Sequence, residues 1–133
     1  MSTSGQITIL IVDDETAITE LMAARFLTRN FIVFKANNGK DALSQLDANN
    51  TIDVVILDVK MPGMNGLETL KLIKERHPLI EVIMLTGYPT VEDAVDSLKL
   101  GAFDYLKKVV DFEQLNTMIK LACEKKFKTK NIM

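Results

Sequence analysis

Five side chains in this sequence could together carry out phosphoryl transfer: the paired carboxylates Asp13 and Asp14, a third carboxylate at Asp58, the hydroxyl of Thr86 and the amine of Lys108. Three acids gathered at one spot repel one another and raise one another's pKa values unless a cation neutralises them. A hard divalent ion is the expected remedy. Mg²⁺ fits, since it binds through one or two carboxylates, keeps several waters and commonly bridges to phosphate oxygens. An accessible aspartate beside such an ion becomes a nucleophile. Phosphoryl transfer asks mainly for in-line positioning and for neutralisation of charge on the equatorial oxygens, which a metal ion, an ammonium and a hydroxyl supply. Taken singly, each residue has an ordinary explanation: Asp14 caps a helix, Asp58 starts a turn, Lys108 is a surface lysine. Only their convergence points to a site.

Convergence follows from the elements that carry them. Short apolar runs at Ile7–Val12, Phe31–Phe34, Val54–Leu57, Val82–Leu85 and Phe103–Leu106 predict five strands. The first, third and fourth are apolar at nearly every position, as central strands covered on both faces should be; the second is weaker and belongs nearer an edge. Helical spacing fills the gaps, at Ile18, Leu21, Met22, Arg25 and Phe26; at Ala42, Leu43 and Leu46; at Leu67, Leu70 and Ile73; and at Val91, Ala94, Val95 and Leu98. A fifth helix carries Phe112, Leu115, Met118, Ile119 and Ala122. Asp14, Asn65, Thr90 and Asp111 stand where short side chains cap helix starts. Asn38-Gly39, Met61-Pro62-Gly63 and Gly101 punctuate the connections.

Five strands alternating with five helices imply an α/β fold, a parallel sheet with right-handed crossovers and helices on both faces. Ligands of such sheets sit outside the carboxyl ends of the strands. Asp13 and Asp14 follow the first strand, Asp58 the third, Thr86 the fourth and Lys108 the fifth. Only the second strand contributes nothing obvious to that edge.

The 133 residues, 47% hydrophobic with a formal net charge of -2, describe one soluble domain over residues 1–133. Its core runs from about 7 to 127, between a short N-terminal lead and a basic tail. Cys123 stands alone, which excludes an internal disulfide and suits a reducing cytosol. The uncharged start gives no sign of a signal peptide, and no apolar stretch approaches the roughly 20 residues of a membrane span. Near-neutral charge argues against nucleic acid as a direct partner. The tail Lys125-Lys126-Phe-Lys128-Thr-Lys130 reads as a solvated helix end favoured by the macrodipole. His77, before Pro78, reads as a helix-end residue rather than a zinc ligand.

Four strings carry a resemblance to response-regulator receiver domains from about Ile7 to Phe127. They are Ile-Leu-Ile-Val-Asp13-Asp14-Glu15, Val-Val-Ile-Leu-Asp58-Val-Lys-Met61-Pro62-Gly63-Met-Asn-Gly66, Met-Leu-Thr86-Gly-Tyr, and Gly101-Ala-Phe-Asp-Tyr105-Leu-Lys-Lys108. The resemblance implies a flavodoxin-like, doubly wound sheet of order 2-1-3-4-5. It implies Asp58 as the phosphoacceptor, and Asp13, Asp14, Asp58 and the backbone carbonyl of Lys60 as the ligands that arrange Mg²⁺. Thr86 would bind the attached phosphoryl group, and Lys108 would pair with it and with the acceptor carboxylate. Lys108 is preferred to Lys107 because it lies three residues after Tyr105. Tyr105 resembles an aromatic switch that remodels the face of the fourth helix, fifth strand and fifth helix. Partners implied are a sensor histidine kinase or phosphotransfer protein, a downstream target or output domain, and a second copy docked through that face. A cytoplasmic location and a chain that catalyses only its own phosphorylation and dephosphorylation follow from the same resemblance.

One position departs from the pattern: the family carries proline after its lysine, in a cis peptide, and here the residue is Val109. A cis bond before a non-proline residue costs about 2.5–4 kcal/mol. A trans Lys108–Val109 bond, a shifted loop and a displaced Lys108 ammonium are therefore expected. Lys60 and Tyr88, each two residues beyond a site residue, are expected to overhang Asp58 and shield an acyl phosphate.

Three other functions compete. A phosphatase of the haloacid dehalogenase type would need a second aspartate where Lys60 stands, and a nucleophile after the first strand. A flavin or nucleotide binder would carry a Ser, Thr or Gly-rich first loop, whereas Asp13-Asp14-Glu15 repels an anion. An interaction module that signals without phosphorylation is favoured by Val109 and opposed by Asp58, Thr86 and Lys108.

Overall fold

A computed structural model describes residues 6–132. The N-terminal lead lies outside the described residues. Strands β1 (Thr8–Val12), β2 (Ile32–Ala36), β3 (Val54–Leu57), β4 (Glu81–Thr86) and β5 (Asp104–Lys107) alternate with five helices. These are α1 (Thr16–Leu27), α2 (Gly39–Ala48), α3 (Gly66–Arg76), α4 (Val91–Lys99) and α5 (Phe112–Ile132). All strand pairs are parallel, in the order β2-β1-β3-β4-β5, as expected. β3 coincides with its apolar run, and the other strand limits differ from theirs by one or two residues, because ladder bonds, not hydropathy, set the ends.

The period of two along each strand divides the interior into two cores. Leu10, Val12, Val55, Leu57, Val82 and Met84 face α2 and α3, while Ile9, Ile11, Val54, Ile56, Ile83 and Leu85 face α1 and α5. Every residue of β1, β3 and β4 is buried, whereas the edge strands β2 and β5 are partly open.

Helix details correct or sharpen the sequence reading. Asp14 does not cap α1: the cap position is Glu15, with no side-chain bond, because the Asp13 carboxylate takes the Glu15 N–H at 3.0 Å. Asn38 caps α2 instead of merely turning the chain. The apolar stripe of α4 is not a core stripe: Val91 and Leu98 are 83% and 54% exposed, and Ser97 is the residue buried beneath the helix. Asn65 closes a capping box with Glu68, and Thr90 and Asp111 cap as expected.

The basic tail is also more than a solvated end. It forms the last turns of α5, where Lys126 reaches Asp53 at 2.8 Å and Lys125 reaches Glu81 at 3.6 Å. Among the described residues, no helix is long and apolar enough to cross a membrane.

Candidate acidic site at the strand ends

The parallel ladder extends one residue past β1 and β3 and so fixes two of the acids. Asp13 N–H donates to the Ala36 carbonyl at 3.2 Å and Asp58 N–H to the Val12 carbonyl at 3.0 Å. Both are buried, while Asp14 is exposed at the rim. Asp58 sits on a tight loop whose geometry depends on Gly66. A Cβ there would lie 2.1 Å from the Asp58 carbonyl oxygen, so only glycine lets α3 start so close to Asp58.

One oxygen from each of Asp13, Asp14 and Asp58 lies within 4.8 Å of the others. An all-oxygen, all-carboxylate set open on one side suits a hard cation such as Mg²⁺. The residues present therefore fit the ion that the sequence implies.

Lys108 is placed by its backbone, whose N–H donates to the Thr86 carbonyl at 2.7 Å. Its ammonium lies 2.5 Å from Asp13 Oδ2 and 3.6 Å from Asp58 Oδ2. The pairing with Asp58 is thus the looser of the two. The Lys108–Val109 bond is cis, which overturns the expected trans bond, and the ammonium is not displaced from the acids. That expectation weighed local preference alone. The tertiary structure fixes the segment at both ends, through the Lys108 hydrogen bonds on one side and through Val110 and Phe112 packed on the α1/α5 core on the other. The Val109 side chain itself is fully exposed.

Burial pushes the Asp58 carboxyl above its usual range, with Asp13 and Asp14 adding to the effect, and Lys108 and the Lys60 N–H opposing it. Burial pulls the Lys108 ammonium down, but its bond to Asp13 and the charge of Asp58 outweigh that and leave it raised. The cluster has more negative charge than Lys108 can balance.

Thr86 is fully buried and its Oγ1 accepts the Tyr88 N–H at 3.2 Å. Tyr105 is half-buried, and its hydroxyl accepts the Thr90 N–H at 3.2 Å. Lys60 and Tyr88 do line the cleft over Asp58, together with Glu15 and Gly87. Their side chains do not close it: Tyr88 is 76% exposed, and the Lys60 ammonium turns toward Asp93, 3.8 Å away. Asp93 escaped the sequence reading because an acid in the first turn of a helix is ordinary dipole matching. His77 ends α3 and pairs with Asp47, away from the acidic cluster.

A second feature borders the site. Ile18, Met22, Leu85, Val110, Phe112 and Leu115 line an apolar groove between α1 and α5 that begins at Lys108.

Comparison with known proteins agrees with this geometry. The family profile described as the response regulator receiver domain matches residues 9–120. An NtrX-like response regulator of Rickettsia felis is 40% identical over 131 residues, which are 96% of this chain and 27% of that protein. The regulatory protein AtoC of Escherichia coli K12 is 40% identical over 116 residues, 87% of this chain and 25% of AtoC. The chain therefore spans about a quarter of the length of the curated relatives it matches. Among solved structures, a CheY-like receiver domain protein from Methanospirillum hungatei superposes with a TM-score of 0.88 at 31% identity, over 94% of this chain and 99% of the other. NtrX from Brucella abortus superposes with a TM-score of 0.88 at 28% identity, over 96% of this chain and 29% of NtrX. With matching sequence, strand order and carboxylate cluster, the chain belongs to the response regulator receiver domain family of two-component signalling.

Proposed function

We propose that Asp58 accepts a phosphoryl group from a histidine-kinase or phosphotransfer partner, and that the domain passes this on as a change in its α4–β5–α5 face. The observation that carries the reading is the buried Asp58 carboxylate, 3.6 Å from the Lys108 ammonium and within 4.8 Å of the oxygens of Asp13 and Asp14. Asp13, Asp14, Asp58 and the Lys60 backbone carbonyl would hold Mg²⁺, which supplies neutralisation of the charge on the transferring group. The remaining work falls to this chain's own residues. The β3 ladder and Gly66 aim the carboxylate into the cleft, and Lys108 balances charge on the incoming oxygens. An Asp58 oxygen attacks phosphorus, the bond from phosphorus to the donor breaks, and the donor leaves with that electron pair.

Once formed, the acyl phosphate offers a charged acceptor to the Thr86 O–H, whose oxygen at present accepts the Tyr88 N–H. Thr86 would turn toward it, vacating space for Tyr105, whose hydroxyl bond to Thr90 must break as the ring moves inward. The shift is a change of population between two states, driven by the contacts the phosphoryl group makes in only one of them.

The exposed apolar residues Val91, Val95 and Leu98 of α4 support that face as the output surface and as a docking site for a second copy. The α1/α5 groove beside Lys108 supports entry of a phosphodonor helix, which would bring a histidine to Asp58. The whole chain would act as one receiver unit in the cytoplasm and pass the change to a downstream protein target or output domain. Receiver domains are generally signalling modules rather than enzymes, and this one would catalyse only gain and loss of its own phosphoryl group. An exposed Tyr88 and a Lys60 turned aside leave water access to Asp58, so shielding by these two side chains would be partial.

The test is intact mass after incubation with acetyl phosphate, with and without Mg²⁺, for the wild type and Asp58→Asn. A Mg²⁺-dependent adduct of one phosphoryl group, absent in the variant, is expected. No adduct on either protein would favour the module that signals without phosphorylation; an equal adduct on both would refute Asp58 as acceptor.

A further inference from the structure

Lys60 touches the acceptor at one end and α4 at the other. Its backbone N–H donates to Asp58 Oδ1 at 3.3 Å, and its ammonium lies 3.8 Å from Asp93 Oδ2 in the first turn of α4. Asp93 is well placed to hold it. Its side chain is 17% exposed against 57% for Lys60, and its own N–H is fixed by Thr90 Oγ1 at 3.0 Å. Thr90 in turn gives its N–H to Tyr105. The start of α4 is therefore tied down by two contacts, one from the β3–α3 loop and one from β5. Lys60 is also a wall of the cleft over Asp58, and its side chain, 57% exposed, has room to change partner.

A phosphoryl group on Asp58 would carry about -2 charges into that cleft, in place of the single charge of the free carboxylate. Lys60 then has two acceptors to choose from, a single carboxylate on α4 and a group of higher charge beside its own backbone. We propose that Lys60 is a positioning residue that exchanges partners: it pairs with Asp93 while Asp58 is free and with the phosphoryl oxygens once Asp58 carries them. The exchange releases the first turn of α4 at the same moment that Thr86 and Tyr105 move. It rests on the phosphoacceptor reading above and adds a second route from Asp58 to α4, independent of the Thr86 hydroxyl. Being partly exposed, the pair is worth little on its own, and its effect on the balance of states is correspondingly modest.

Titration of the Mg²⁺-loaded domain with beryllofluoride, followed by the amide signals of residues 88–96, tests this. The arms are wild type, Asp93→Asn, Lys60→Gln and the double variant. Asp93→Asn removes the competing partner, so the beryllofluoride Kd should fall about 1.5- to 5-fold, and the free-state α4 signals should move toward their bound positions. On the Lys60→Gln background, the same Asp93 change should alter neither, since there is no ammonium left to release. At high salt the difference between Asp93→Asn and wild type should shrink. Saturable binding to the wild type with an unchanged Kd in Asp93→Asn, or an equal Asp93 effect with and without Lys60, would overturn the partner exchange while leaving the phosphoacceptor reading intact. Failure of the wild type to bind beryllofluoride would overturn that reading, and the exchange with it.

Discussion

At the scale of single residues, the site sets three clustered carboxylates against the one ammonium of Lys108. Asp58 binds its proton more tightly when folded than when unfolded, chiefly because burial disfavours the charged form. The sign of the consequence is fixed by that direction. Without Mg²⁺, Asp58 contributes a loss of stability as pH rises from the unfolded aspartate value of about 3.9 through the raised folded value. Asp58→Asn should therefore unfold at a higher temperature than the wild type in Mg²⁺-free buffer at neutral pH. The gap should close below about pH 4, where Asp58 is protonated in both states. Added Mg²⁺ should narrow the gap by stabilising the wild type. Thermal melts across pH, with EDTA or Mg²⁺, would show it; a variant less stable than the wild type at pH 7 in EDTA would contradict the assignment. The five residues of the candidate site stood out in the sequence because each lies within two residues of the end of an apolar run. What could not be read was pairing: Lys108 prefers Asp13 to Asp58, and Lys60 finds Asp93, because such choices depend on distances between strand ends and helices.

At the scale of elements, the capping signals at Asn65, Thr90 and Asp111 held, that at Asp14 did not, and apolar spacing did not tell which stripes are packed. Asn65 illustrates a signal that held. An amide side chain three residues before Glu68 is a capping-box signal, and the structure holds both of its bonds, at 3.0 and 3.3 Å. Replacing Asn65 by Ala should cost about 1 kcal/mol in urea unfolding, with the slope unchanged. Gly66, next to it, has a different role, since a methyl group there meets the Asp58 carbonyl. Gly66→Ala should cost roughly 1–3 kcal/mol and also slow phosphorylation, because relief of the clash must shift the acceptor loop. Equal labelling rates in Gly66→Ala and wild type would show that the loop yields without moving Asp58. Helix α4 illustrates the limit of apolar spacing. Its apolar spacing at Val91, Val95 and Leu98 resembles a core stripe, but the edge position of β5 leaves that stripe largely uncovered. No periodicity separates a stripe that meets the sheet from one that waits for a partner. The same holds for α1, whose Leu21 is 64% exposed although it shares the spacing of the buried Phe26.

At the scale of the whole molecule, the sheet separates two charged edges. The carboxyl ends of the strands carry the acidic site, while the opposite edge carries a structural network. There Asp53 accepts the Thr8 N–H at 3.0 Å and the Lys126 ammonium at 2.8 Å, and Glu81 lies near both Lys74 and Lys125. These contacts clamp the last turns of α5 beneath β1, β3 and β4, beyond the stretch that the receiver profile matches. Cys123, one turn earlier, reports on the clamp: burial first, then the charge of Asp53, push its thiol up to about 11, so the docked helix keeps it unreactive. Asp53→Ala would leave the Thr8 N–H without its acceptor, and the Lys126 ammonium with only the Ile52 carbonyl at 3.4 Å and no counter-charge, in a poorly solvated place. Losses of this kind cost about 3 kcal/mol when one member of a buried pair is removed. The second half of α5 should then open more often, and Cys123 should be alkylated at least tenfold faster at pH 8 under native conditions. Labelling of Asp58 should be nearly unchanged, since the site stands at the other end of the strands and shares no hydrogen bond with the clamp. A loss of Asp58 labelling equal to the gain in Cys123 reactivity would mean instead that the two edges unfold as one unit, and that α5 cannot loosen without dissolving the acidic site.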